Sequence, residues 1–193
     1  MKFALSGLLL FLLVSIQTAS AAIVINVTEE NGNVVFTSEA GSLDVSSLSS
    51  AMSGTGGGSF IDPSNGRFGI GGASQDALSD DSFSGPSAFG TGASRSADST
   101  TGGGFGVNGT DGWLTLANDD GGSYGVSTMT FNNATIDSLG LTPGEYTWGW
   151  SGDFIRLNIP VSEVIPEPVA ASLLLLAGVG GLLRRRARRK ATV

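Results

Sequence analysis

From Ala22 onward, apolar and polar residues alternate with period two. Ile23, Ile25 and Val27 fall on one face of a run ending at Thr28, and Asn31-Gly32 separates it from a second apolar run, Val34-Val35-Phe36. Such alternation marks a strand with one buried face. An Asn-Gly step between two such runs is the strongest short-range hairpin signal, because both residues tolerate positive φ. Leu43 and Val45 suggest a third short strand. The pattern returns at Trp113-Leu114-Thr115-Leu116, followed by the turn cluster Asn118-Asp119-Asp120-Gly121-Gly122 and an expected strand from Tyr124 to Phe131. Thr142-Pro143-Gly144-Glu145 places proline at i+1 and glycine at i+2, which predicts a type II turn. Tyr146, Trp148 and Trp150 then share one face of a strand, Ser151-Gly152-Asp153 turns, and Ile155, Leu157 and Ile159 share a face of the last strand.

Residues 53–109 break this regularity. Glycine, serine and threonine dominate there, and the apolar residues thin out to Phe60-Ile61, Phe68, Ile70, Phe83, Phe89 and Phe105. Composition alone describes a linker. Large aromatics set beside glycine, as in Phe68-Gly69, Phe89-Gly90 and Phe105-Gly106, argue for short edge strands joined by glycine-rich loops. No stretch of 22–162 carries a helical period. Many short strands with regularly spaced turns predict an all-β domain over 22–162, a β-sandwich or jelly roll.

The two ends read differently. Met1-Lys2, the apolar run Phe3 to Ile16 and the small residues Ala19-Ser20-Ala21 have the layout of a secretory signal peptide, so residues 1–21 are expected to be a signal helix cut beside Ala19 and Ala21 by signal peptidase. At the far end, residues 163–193 contain Pro166-Glu167-Pro168, fifteen uncharged residues from Val169 to Leu183, and the basic run Arg184, Arg185, Arg186, Arg188, Arg189 and Lys190. The basic run stops translocation and stays on the cytoplasmic side, which leaves the preceding domain outside the inner membrane. A helix over 169–183 would rise roughly 22 Å, short of a hydrocarbon core of about 30 Å. That length suits a transient anchor better than a permanent one.

Motif, apolar helix and basic tail in this order resemble the PEP-CTERM sorting signal of exopolysaccharide-producing bacteria. The resemblance implies that a membrane-embedded exosortase, a cysteine transpeptidase-like enzyme, handles the chain at Pro166-Glu167-Pro168. It further implies a brief stay at the inner membrane, followed by transfer to the cell surface or release into the extracellular matrix, in association with exopolysaccharide. Two internal blocks, Phe83-Ser84-Gly85-Pro86-Ser87-Ala88-Phe89-Gly90 and Ser138-Leu139-Gly140-Leu141-Thr142-Pro143-Gly144-Glu145-Tyr146-Thr147-Trp148, are similar to a small family of exported PEP-CTERM proteins. The Ser151-Gly152-Asp153 turn is shorter than that family's pattern. The resemblance brings no enzymatic role with it.

Charge and residue usage narrow the chemistry. Ala22 to Ile165 holds sixteen carboxylates against Arg67, Arg95 and Arg156, a net −13, so electrostatic binding of nucleic acid is excluded. The chain has no cysteine and no histidine, and its lysines are at positions 2 and 190 alone. This removes Ser-His-Asp and Ser-Lys hydrolysis, thiol nucleophiles and ordinary zinc sites. A carboxylate pair of the glycosidase kind is the enzymatic chemistry left, and nothing in the acid spacing singles one out. The expectation is a non-enzymatic protein without cofactor or metal. Asn118-Asp119-Asp120 and Asn108 with Asp111 offer hard oxygen ligands for calcium, but the same residues are common in β-turns. The stripe Tyr146, Trp148 and Trp150 could stack sugar rings, which makes a carbohydrate-binding module the rival reading. It could equally fill the core, and the scarcity of other large apolar residues favours that. Trp113 carries the same ambiguity.

Overall fold

The computed structural model describes residues 22–55, 57–72, 75–117 and 122–161. The chain divides into Met1–Pro160 and Val161–Val193, and all described residues but Val161 belong to the first unit. The expected signal helix and the 169–183 helix lie outside the described residues. Among the described residues no helix is long and apolar enough to cross a membrane, and the one helical turn is a 3-10 turn at Pro63–Asn65.

β1 (Ala22–Glu30) turns at Asn31-Gly32 into β2 (Asn33–Ser38), pairing antiparallel from Glu30↔Asn33 to Ile25↔Ser38. Asn31 and Gly32 have φ of 52° and 77°, the positive values a two-residue hairpin turn needs. Ile23, Ile25, Val27, Val34 and Phe36 point inward and are buried, as the alternation predicts. The third strand falls slightly early, as β3 (Gly41–Leu43).

The strands that follow are β4 (Ser49–Thr55), β5 (Phe60–Asp62), β6 (Arg67–Ile70), β7 (Gln75–Ser79), β8 (Arg95–Ser96), β9 (Ser99–Thr101) and β10 (Phe105–Asn108). After them come β11 (Trp113–Leu116), β12 (Gly122–Tyr124), β13 (Thr128–Phe131), β14 (Gly144–Gly149) and β15 (Phe154–Ile159). They form a six-stranded sheet ordered β14-β15-β1-β2-β13-β9, a seven-stranded sheet ordered β4-β7-β11-β10-β6-β5-β8, and a two-stranded ribbon of β12 and β3. First and last strands are parallel neighbours, in register from Ala22↔Phe154 to Asn26↔Asn158. The two large sheets contribute to one apolar core, where Ile25, Phe36, Phe131 and Trp148 meet Ile61, Phe68, Phe105 and Leu114.

Three expectations are corrected. Residues 53–109 do more than supply edge strands: β6 and β10 lie in the interior of the seven-stranded sheet. Their inward residues Phe68, Ile70, Phe105 and Val107 are buried, while the outward positions between them are Gly69 and Gly106. Glycine in the outward slot hides the period-two signal, since no polar side chain marks the alternate face. The run from Tyr124 to Phe131 is two strands in different sheets. Buried Ser127 redirects it: its N–H donates to Ser38 Oγ (2.9 Å) and its Oγ donates to the Gly103 carbonyl (3.0 Å). Finally, Gly144 has φ 159°, close to extended and far from the roughly +80° of a type II turn, so Pro143-Gly144 leads straight into β14.

Candidate functional site

β14 and the residue that follows it place Tyr146, Trp148 and Trp150 on one face, as the alternation requires, and that face is the inner one. Trp148 is 0% exposed; its ring meets Phe68 at 5.6 Å and Phe89 at 6.0 Å, both edge-on. The indole Nε1–H of Trp148 donates to the Pro86 carbonyl at 3.0 Å. Trp150 is also buried, stacks on Phe83 at 6.1 Å with the planes 1° apart, and donates from Nε1 to the Asp44 carbonyl at 2.7 Å. Tyr146 is half-buried against Phe89, and its hydroxyl donates to the Thr142 carbonyl (2.9 Å). Sugar stacking needs an open ring face, and neither Trp148 nor Trp150 has one. The stripe is core.

What closes over it is the segment 83–92. Ser84 and Gly149 exchange both backbone hydrogen bonds at 2.8 Å, Phe89 N–H donates to the Pro63 carbonyl and Thr142 N–H to the Phe89 carbonyl. Gly85 lies flat on the indole: a Cβ there would come within 2.3 Å of Trp148 Cδ1. At Gly90 a Cβ would meet the Gly140 carbonyl oxygen at 2.0 Å. The two sequence blocks set apart above, Phe83–Gly90 and Ser138–Trp148, are therefore packed on one another. Their glycines and aromatics are complementary halves of one contact.

Asn108 and Asp111 hold each other. Asn108 Nδ2 donates to Asp111 Oδ2 at 2.8 Å, and Asp111 N–H donates to Asn108 Oδ1 at 3.1 Å. These oxygens close a turn, the alternative use of such residues. Asn118, Asp119 and Asp120 lie outside the described residues. So do Ala19, Ala21, Pro166, Glu167, Pro168 and the basic run from Arg184 to Lys190. Among the described residues no three acidic side chains are grouped closely enough to hold a metal ion.

Two carboxylates do approach one another, at the Ser151-Gly152 turn. Asp153 is 5% exposed, and its Oδ2 accepts from Asp44 N–H (3.0 Å) while Oδ1 accepts from its neighbour Phe154 N–H (2.8 Å). Burial pushes the Asp153 carboxyl above the ordinary aspartate range, and the Asp44 charge adds to this against the two backbone hydrogen bonds. Asp44 shifts down, because the Ser46 side chain and N–H bond to it. Both Asp153 oxygens face backbone donors, so the pair staples the 44–46 loop to the last hairpin.

The tryptophan left at the surface is Trp113. It is half-buried on the outer face of the seven-stranded sheet, at the head of a row across four strands: Trp113↔Asn108↔Arg67↔Asp62. The next row holds Thr115, Gly106, Gly69 and Phe60. The Phe60 ring lies over Gly69, where a Cβ would be 3.2 Å from Phe60 Cε1, and the Arg67 guanidinium carbon sits 5.9 Å from the same ring. Sequence reasoning left Trp113 undecided and passed over Arg67 and Phe60. The signal that could have found them is the Phe-Gly-Ile and Phe-Gly-Val spacing, in which glycine marks the outward face. Compared with known proteins, the chain matches no family model, no curated protein and no solved structure.

Proposed function

We propose that this is an exported, non-enzymatic protein of the cell surface or extracellular matrix, sorted by an exosortase through its C-terminal segment. The observation that carries the reading is the order of Pro166-Glu167-Pro168, the uncharged run Val169 to Leu183 and the basic run Arg184 to Lys190. One feature of the fold supports it: β15 ends at Ile159, before the motif, so cutting at the motif leaves the last described strand whole. We read the two large sheets on one core as a β-sandwich that serves as the cargo. The tail is then a processing signal: Pro166 and Pro168 resist helix and keep Glu167 extended for a membrane-embedded enzyme, and the arginines set its depth.

In cells containing exosortase, mass spectrometry of the native C-terminus should find the protein cut near Pro166-Glu167-Pro168 and absent from the inner-membrane fraction. Deleting Arg184 to Lys190, or Glu167→Ala, should leave precursor in that fraction. Recovery of a stable main form that still carries Arg184 to Lys190 overturns the proposal.

A further inference from the structure

We infer that the outer face of the seven-stranded sheet binds an uncharged, polyhydroxylated glycan chain, with Trp113 as its stacking ring and Arg67 as its hydrogen-bond donor. The inference deepens the matrix-protein reading and rests on it for the ligand's presence, but the site itself comes from the side chains.

Trp113 alone of the three tryptophans is half-buried rather than buried, and it makes no ring-to-ring contact among the described residues. A large amphipathic ring at the surface binds well to partners that offer apolar C–H faces and hydroxyl edges together. Arg67 lies two strands away, roughly 9.5 Å at the usual strand spacing, with buried Asn108 between them. Arg95 and Arg156 pair with Asp98 and Glu145, whereas Arg67 has no ion pair among the described residues. Among the described residues its Nε is buried without a hydrogen-bond partner. A buried donor left unmade is costly, so a hydroxyl oxygen that reached this guanidinium would relieve part of that cost. Phe60 lies beneath the guanidinium and holds it over the sheet.

The charge around Arg67 selects among ligands. Asp62, opposite Arg67 on β5, is already engaged with Asn65 Nδ2 (3.1 Å to each oxygen), and Asp111, on the β10–β11 turn, with Asn108. The stretch from Ala22 to Ile165 carries a net −13. A polyanionic chain is repelled from this face, while nothing on it repels hydroxyl groups. An elongated polyol that lays one ring on Trp113 and presents oxygens toward Arg67 and Thr115 fits both the apolar and the polar requirement.

The test uses protein purified from exosortase-containing cells, a panel of neutral polysaccharides (cellulose, dextran, galactan, mannan) and alginate as a polyuronate. At least one neutral polymer should retain the protein and alginate should not. Trp113→Ala and Arg67→Ala should each weaken retention by about tenfold or more, the cost of truncating a central contact. Trp113→Phe should keep part of it, and all three variants should melt as the wild type does. If Arg67→Ala unfolds, acrylamide quenching of the wild type still decides. Trp148 and Trp150 are buried, so the quencher reports on Trp113, and the bound glycan should protect it. Retention by alginate alone, by no polymer, or without change in the Trp113 variants overturns the inference. The C-terminal mass of the same sample separates the two readings. Loss of glycan binding in a processed protein removes this face only, whereas binding by a protein with an intact basic tail removes the sorting proposal and leaves the face.

Discussion

The six-stranded and seven-stranded sheets bury similar residues but treat their outer faces in opposite ways. On the first, the outward positions of β1, β2, β13 and β15 are filled with Val24, Asn26, Thr28, Val35, Thr37, Thr130, Arg156 and Asn158; Asn158 Nδ2 donates to Asn26 Oδ1 at 3.0 Å across β15 and β1. On the second, the middle of the sheet faces outward with Gly69 and Gly106, and the larger side chains gather around them. A filled outer face advertises its strands in the sequence. A glycine floor conceals the strands and lets aromatic and guanidinium groups lie on the backbone.

The largest test of this contrast is at the contact between the sheets. Trp148 is fully buried and touches Phe68 and Phe89, and a large-to-small change there leaves a cavity that a rigid strap cannot fill. Trp148→Ala should cost about 3–5 kcal/mol, the usual range for deleting a buried aromatic, and should unfold the domain or drop its melting temperature steeply. Tryptophan emission of the wild type should be blue-shifted for the two core rings. A variant that melts within a degree or two of the wild type would return the stripe to the surface.

How much of this was legible from residues alone divides along the same line. The β1–β2 hairpin, the β11 strand and the last two strands were readable, because side chains, most of them polar, filled their outward slots. β6 and β10 were not, since Gly69 and Gly106 left no polar mark. Alternation also showed that Tyr146, Trp148 and Trp150 share a face without showing which face is inside. That was decided by the segment 83–92, which packs Gly85 and Phe89 against Trp148 from about sixty residues away. Trp113 obeys the same alternation on the outer face of its sheet and is half-buried. The candidate site was thus half-visible: its ring was noticed, its arginine was not.

A smaller effect is expected from filling the floor. A Cβ at Gly106 would come within 2.3 Å of the Phe68 carbonyl oxygen, which is backbone and cannot swing aside. Gly106→Ala should cost about 1–3 kcal/mol through a backbone shift between β6 and β10. The matching change on the other sheet, Thr130→Ala, should stay within about 0.5 kcal/mol, as for ordinary half-exposed positions. Chemical denaturation of the two variants side by side measures the difference. Equal costs would mean that the glycine floor is incidental.

The mildest test compares the Asp44–Asp153 staple with the open carboxylates elsewhere on the domain. Asp153 sits above 3.8 in the folded protein because burial disfavours its charge. Between its unfolded and folded values the native form therefore holds a proton that the unfolded chain gives up, and stability must fall as pH rises through that range. On acidification from neutral, Asp153 returns that stability until pH reaches its unfolded value. Asp44 acts in the opposite sense. Its carboxyl lies below 3.8, held there by Ser46, so the stability it adds is complete above 3.8 and is lost as pH falls further. The staple should accordingly be strongest in a mildly acidic window that opens at Asp153's raised value and closes just below 3.8. Thermal melts of the wild type and of Asp153→Asn across this range isolate the effect, because the other carboxylates are common to both. The wild type should gain on the variant as pH drops from neutral to about 4, near the ordinary aspartate value. A constant difference between the two melting curves across that range would show that Asp153 is not the group whose burial the fold resists.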